Sequence, residues 1–546
     1  MFCKSNSQDF HWSFPHNLVG KVSISIYSFH VVTDTAYLLK TWAKAPINRR
    51  SLLLMAATTA VAGTSIGKAL GVTAPVITQV LGRPTNTTIA LSVLASQPIT
   101  TFIEYGTSKT FYSSKTSQLQ TSPGAPAVFE IKGLRAGTKV FYRVNYQAAS
   151  DEAFVNGKQY SFTTARNVGS TFTFSVHGDT HPERAGKMFN AELYGVTLAN
   201  IAAQQPDFHI MMGDDFSIDP LIGKGQANKT NVEKIYSTHR NWLTTATSSV
   251  PLFLVNGNHE QAAAYLLDGT ESNPAVLAGN ARLKYYPLPA PDSFYSGNST
   301  PVEGVGLPRD YYAWTWGDAL FVTLDPYWHS SNPVDNVAGV EDSSATKGGG
   351  GKKNGGANPA ATAPAAPTGS GKTTNLWNIG IGDEQYEWLK KTLEASKAKY
   401  KFVFAHHVMG TGRGGIEVST NYEWGGKDPK GQSTFSKERP NWELPIHDLM
   451  VKNKVSIFFQ GHDHIFCTQE RDGLIYQSMP NPADDTFSMF NEDAYKSGTK
   501  APNSGHVRVT VAPSQAKVEY FLAARKMDSS RKNLSVAHSY IVKPKA

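Results

Sequence analysis

Five short apolar runs set the rhythm of the second half of the chain, and each stops on a cluster of Gly, His, Asp or Asn. Residues 171–176 lead into Gly178-Asp179-Thr180-His181, and residues 208–212 into Gly213-Asp214-Asp215. Residues 251–255 lead into Gly257-Asn258-His259-Glu260, residues 401–405 into His406-His407, and residues 455–460 into Gly461-His462-Asp463-His464. Runs of this length, rich in β-branched and aromatic residues and bounded by glycine or polar residues, predict buried strands. Between the first two, residues 188–205 carry Tyr194, Leu198 and Ile201 on one stripe, which predicts a helix. The strand–helix–strand alternation predicts a layered α/β domain. In such domains the C-terminal strand ends share one rim, where ligands bind, so the five polar tips are expected to converge. Imidazole and carboxylate at such tips suit a metal centre better than a packed core, because buried polar rings need partners.

The pattern differs elsewhere. From residue 74 to about 166, short alternating stretches (89–93, 101–105, 128–131 and 140–144) are separated by turns such as Ser122-Pro123-Gly124 and Ala136-Gly137-Thr138. That spacing predicts a small all-β sandwich. It holds no cluster of titratable groups, so it reads as a spacer or lid, or else as a carbohydrate- or wall-binding module. Residues 342–374 are rich in Gly, Ala, Pro, Lys and Thr and predict a low-complexity insertion. Its Gly369-Ser370-Gly371-Lys372-Thr373-Thr374 imitates a phosphate-binding loop. Ala366 stands where the first glycine belongs and no strand precedes it, so no nucleotide site is expected. Asp383 is expected to cap a helix whose apolar face is Tyr386, Leu389 and Leu393. Residues 507–511 and 517–522, around Pro513-Ser514, predict a closing hairpin, with residues 526–546 as a C-terminal tail. His447 reads as a surface or capping group and Cys467 as a small buried hydrophobe.

Near the start, Asn48-Arg49-Arg50-Ser51-Leu52-Leu53-Leu54 sets an arginine pair before an apolar stretch, and Ala60-Val61-Ala62 supplies a small-x-small cleavage signal. Residues 1–62 are thus expected to be a leader read by the twin-arginine export machinery, with a periplasmic or extracellular mature protein. The competing reading is a buried N-terminal helix. The stretch is too short to cross a membrane as a helix. The chain has 546 residues, a net charge of +8 and two cysteines. The length calls for two or more domains. No aromatic-studded basic stripe or nucleic-acid-binding motif accompanies the charge, so it reads as a solvated surface. No internal disulfide is implied.

The ordered set Asp179-x-His181, Gly213-Asp214, Gly257-Asn258-His259-Glu260, His406 and Gly461-His462-x-His464 resembles the signature of the calcineurin-like metallophosphoesterases. The resemblance implies a four-layer α-β-β-α sandwich over residues 170–525 and two divalent ions, with Mn, Fe or Zn suiting the ligands. One ion would take Asp179, His181 and His464, the other Asn258, His406 and His462, with Asp214 bridging and His259 facing the substrate. The implied reaction is hydrolysis of a small-molecule phosphate mono- or diester by metal-bound hydroxide, with His259 serving the leaving group. Two dications, two ligand carboxylates and a hydroxide would leave about +1 to attract phosphate. Arg413, in a glycine-dense loop, is a candidate for gripping a phosphate oxygen, or else a solvated loop residue. Glu260 either orients its loop or forms a salt bridge, and His177 is either a hydrogen-bond partner of the site or a packed core histidine. Purple acid phosphatases pair a similar β module with this domain but carry a tyrosine ligand three residues after the bridging aspartate. Ser217 stands there, and His181 fills the vacant coordination position, so no ferric-tyrosinate colour is expected. Residues 133–140 resemble the fibronectin type III approach to the sixth strand, with Val140 where that family places a tyrosine. Two other readings are a phospholipase-like phosphodiesterase and a catalytically silent metal-dependent binding module.

Overall fold

Three of the apolar runs form adjacent parallel strands, Phe172–His177, Phe208–Met211 and Leu252–Leu254. Met211 lies opposite both His177 and Leu254, so the three strands end level. The other two runs, Tyr400–Phe404 and Ile457–Gln460, are parallel neighbours in a second sheet, where Phe404 lies opposite Phe459. The computed structural model describes residues 74–149, 151, 153–260, 267–330, 376–408 and 412–545. The expected leader, the low-complexity insertion with its phosphate-loop imitation, and residues 409–411 at the start of the glycine-dense loop that holds Arg413 lie outside the described residues.

Among the described residues the first sheet has nine strands and the second eight. They pack face to face through an aromatic core. Phe174 and Phe208 of the first sheet meet Phe321 of the second at 5.0 and 5.1 Å between ring centroids, and Phe253 stacks on Trp314 at 4.1 Å. Helices cover the outer faces. Ala191–Gln204, Lys229–Thr247 and Pro274–Tyr285 bury Leu198, Tyr236 and Ala278 with Met211 and Leu254 of the first sheet. Gly382–Ala395 and Ile446–Lys452 bury Leu389 and Leu449 with Val403 and Phe458 of the second. This is the α-β-β-α order expected for the catalytic part.

The N-terminal β-sandwich is not a detached module. Its strands Ile77–Gly82, Ile89–Ala95 and Ala127–Ile131 extend the nine-stranded sheet, with Gly82 paired to Leu252. A separate five-stranded sheet, centred on Ile99–Gly106 and Lys139–Ala148, closes the sandwich over Leu81, Leu91, Phe129, Tyr142 and Phe162. Tyr142 sends its hydroxyl to the Ser248 carbonyl at 2.6 Å, across to the catalytic part.

Details elsewhere adjust the sequence reading. Asp383 sits inside the first turn of its helix and accepts the Trp442 indole N–H at 2.7 Å instead of capping. His447 is fully buried between the Tyr476 hydroxyl at 2.8 Å and Asp472 at 3.0 Å. The closing hairpin forms as Gly505–Ala512 and Gln515–Leu522, and Val536–Val542, in the stretch expected as a tail, adds the edge strand beside it. Cys467 is buried, which pushes its thiol up to about 12.

Arg240 joins the sandwich to the catalytic helices. It is wholly buried on Lys229–Thr247 and donates to the Thr78 hydroxyl at 3.1 Å, the Ser92 hydroxyl at 3.0 Å and the Ser92 carbonyl at 2.9 Å. It also donates to the carbonyls of Thr78 and Tyr285, so none of its five acceptors is a carboxylate. Burial draws its pKa down to about 10. Replacing it strands several buried acceptors at once. Arg240→Met is expected to cost about 3–5 kcal/mol in urea unfolding; a loss within error would show that the sandwich docks without it.

Candidate metal centre

The tips turn sharply where their strands end. His181 (φ 48°), Asp214 (φ 59°), His462 (φ 66°) and His464 (φ 51°) all take up left-handed backbone, which swings each side chain across the rim. Two glycines allow the turns to approach one another. A Cβ at Gly461 would lie 2.5 Å from Asp179 Oδ1, and one at Gly257 would strike Asp214 Oδ1 and the Asp214 amide.

The seven expected ligands come together and are buried. Donor atoms of Asp179, His181, Asp214 and His464 lie within 4.8 Å of one another, as do those of Asp214, His406 and His462. Asn258 Oδ1 stands 3.0 Å from His406 Nε2 and 3.1 Å from His462 Nδ1. The tautomers explain why a cation fits. His406 Nδ1 donates to the Met212 carbonyl at 2.8 Å, so a neutral ring presents a lone pair at Nε2. That lone pair faces Asn258 Oδ1 and, at 3.1 Å, Asp214 Oδ2, which are themselves acceptors. His181 repeats the arrangement. Its Nδ1 lies 2.8 Å from Glu183 Oε1, and its Nε2 faces His464 Nε2 at 3.0 Å and Asp214 Oδ2 at 3.6 Å. Acceptors aimed at acceptors need a positive charge between them, and this mix of nitrogen and oxygen donors suits divalent transition metals. Without a metal a proton takes that place. Burial lowers the pKa of His406, but Asp214 and Asp179 outweigh it and raise the value to about 10.

The family model of the calcineurin-like phosphoesterases matches residues 172–466. The chain belongs to this family. It is a metal-dependent phosphoric ester hydrolase, and the buried Asp–His cluster is its divalent-metal site. Its fold is similar to that of purple acid phosphatase PPD1 from yellow lupin (Lupinus luteus) seeds, with 16% identity, 86% of this chain and 74% of that one covered, and a TM-score of 0.51. It is also similar to PhoD, with 14% identity, 86% and 90% covered, and a TM-score of 0.54. No curated protein sequence matches the chain.

Around the phosphoesterase's metal site, the neighbours divide into those that aim at it and those that brace it. His259 Nε2 lies 3.9 Å from Asp214 Oδ2, and its Nδ1 is bonded to Asp219, a residue that no sequence motif marks. Arg184 Nη2 meets His259 Nε2 at 3.1 Å. Glu260 orients its loop and, through it, the aspartate. Its carboxylate accepts the amides of Asp214 at 2.8 Å, Phe216 at 3.1 Å and Gly257 at 2.6 Å, and that of Asp215. Arg413 donates to the His462 carbonyl and reaches Asp463 Oδ1 at 3.3 Å, which commits that guanidinium edge to the loop. His177 bonds the Gly178 carbonyl at 2.7 Å and packs on His209; burial lowers its pKa to about 4, as for a core histidine. Ser217 is buried.

Two outcomes test this geometry. His406 keeps its competing proton at every pH below about 10, whereas burial drives His181 and His462 far down and they hold none at neutral pH. Metal uptake near pH 7, followed calorimetrically in buffers of different ionisation enthalpy, should release about one proton and weaken by about tenfold per unit of falling pH. Gly257→Ala should reduce bound metal in elemental analysis, because its methyl group displaces Asp214; full metal content in that variant would contradict the close approach.

Proposed function

We propose that the chain is an exported binuclear-metal phosphoesterase that hydrolyses small-molecule phosphate mono- or diesters. The observation that carries this reading is the position of Asp214, whose Oδ2 lies 3.1 Å from His406 Nε2 and 3.6 Å from His181 Nε2 and so belongs to both donor groups. Asp179, His181 and His464 are assigned to one ion, Asn258, His406 and His462 to the other, and Asp214 to both. When bound, such a pair supplies an activated water and neutralises charge on the phosphoryl group.

The chain's own contribution centres on His259. Asp219 at Nδ1 fixes the ring orientation, leaving Nε2 to deliver a proton. The His259 amide donates to Asp214 Oδ1 at 2.9 Å, which ties the proton donor to the shared aspartate. In the metal-free chain burial lowers the His259 pKa, but Asp214 and Asp219 outweigh it and raise the value to about 9. As the ester P–O bond breaks, that proton passes to the departing oxygen. The His259–Asp219 pair supports an enzyme over a silent binding module, since it binds no metal in this scheme and serves only a reaction.

Export rests on the Arg49-Arg50 leader pattern. Among the described residues, no helix is long and apolar enough to cross a membrane. The sandwich of residues 74–166 is assigned a bracing role beside the catalytic part.

His259→Ala should lower turnover of an aryl phosphate by about 10²–10⁴-fold with bound metal unchanged. Loss of metal would make His259 a ligand instead, and wild-type protein inactive on monoester, diester and phospholipid with each of Mn, Fe and Zn would sink the enzymatic reading. With Ser217 in the tyrosine position, the metal-replete protein should show no strong visible charge-transfer band.

A further inference from the structure

The phosphoesterase reading leaves open what recognises the substrate beyond the metals. We infer that Arg184 is the substrate-phosphate clamp, and that it biases the site toward phosphate monoesters. This rests on the reading above. Arg184 ends the short turn Pro182–Arg184 that follows the first ligand block, and its amide is held by the His181 carbonyl at 2.9 Å. The turn therefore fixes the arginine directly to a ligand. Its guanidinium bridges two groups of the site: Nη2 lies 3.1 Å from His259 Nε2, and Nε lies 3.3 Å from Glu183 Oε1, the carboxylate that meets His181 Nδ1.

The Arg184 side chain is 32% exposed, against 7% for His259 and 16% for Glu183, so it is the most solvent-accessible of the three. A guanidinium has only donors, and an anionic phosphoryl oxygen is a stronger acceptor than an imidazole nitrogen, so the Arg184 edge that faces His259 is the one a substrate phosphate would take. Arg413 is engaged differently, by Asp463 and the His462 carbonyl. A monoester phosphoryl group carries one more non-bridging oxygen than a diester, so a second donor beside the metals favours monoesters.

The test uses the metal-loaded full chain, with inorganic phosphate as the probe in calorimetric titration and elemental analysis alongside. Arg184→Met should weaken phosphate binding by about 30–100-fold with metal content unchanged, and Arg184→Lys by about tenfold or less. For the Met variant, kcat/KM on an aryl monoester should fall by about 100-fold, against about tenfold on the matching diester. Guanidinium ion added to Arg184→Ala should restore part of the phosphate affinity, a result that a merely structural arginine would not give. Phosphate affinity retained in Arg184→Met, equal losses on both esters, or no guanidinium rescue would each overturn the inference. A wild-type protein that binds phosphate through Arg184 yet cleaves no ester would sink the phosphoesterase reading while supporting the clamp.

Discussion

Electron-pair donors from five separate segments are held against one another, and the rest of the structure follows from that crowding. Imidazole, carboxylate and amide oxygen repel at 3 Å unless a cation lies between them. The tips are held together largely by the expected ligands themselves. Asp179, at the first tip, accepts the His462 amide of the fifth at 2.9 Å. Asp214, at the second, accepts the His259 amide of the third, and Glu260 of the third returns the tie to the amides of the second. His406, at the fourth, is anchored to the Met212 carbonyl beside the second. Carboxylates therefore serve twice, toward the metal position and toward the backbone of the neighbouring loop, which is the reason small residues stand wherever two tips approach.

Such a ring needs strand ends that do not drift. The aromatic layer between the sheets supplies this. Phe174 lies within 5.3 Å of both Phe321 and Phe402, and Phe404 stacks on Phe459 at 4.8 Å, so both sheets are registered a few residues below the tips. These are the same apolar runs whose endings mark the site in the sequence. Core and site were legible together because one stretch encodes both: the run sets the strand, the strand sets the rim, and a donor follows within three residues of the run's end.

What was not legible depended on partners far apart in the chain. Asp219 reaches His259 across 40 residues and Arg184 reaches it across 75, and no spacing rule links them. Glu183 and Arg184 stand two and three residues after His181, a cue that proximity alone could have raised. Arg413 stood out because its loop is rich in glycine, which reports backbone freedom and says nothing about which acceptor an arginine finds. The sandwich was legible as β structure from its alternation, but the union of its strands with the catalytic sheet was not. That union depends on the pairing of Gly82 with Leu252 and on Arg240, whose burial no local pattern announces.

The backbone at the tips bears on how such a site can exist before a metal reaches it. Four of the seven expected ligands are non-glycine residues in left-handed conformation, a state that costs on the order of 1–3 kcal/mol per residue. Glycine at these positions would relieve the strain but supply no ligand, so strain and chemistry cannot be separated there. The cost is borne by contacts that do not depend on metal: the Glu260 cradle, the Asp179–His462 tie and the aromatic layer. A proton on His406 relieves the worst acceptor conflict in the meantime. The fold thus keeps its donors gathered with a proton standing in for a cation, and metal entry becomes an exchange of charge at a site already built.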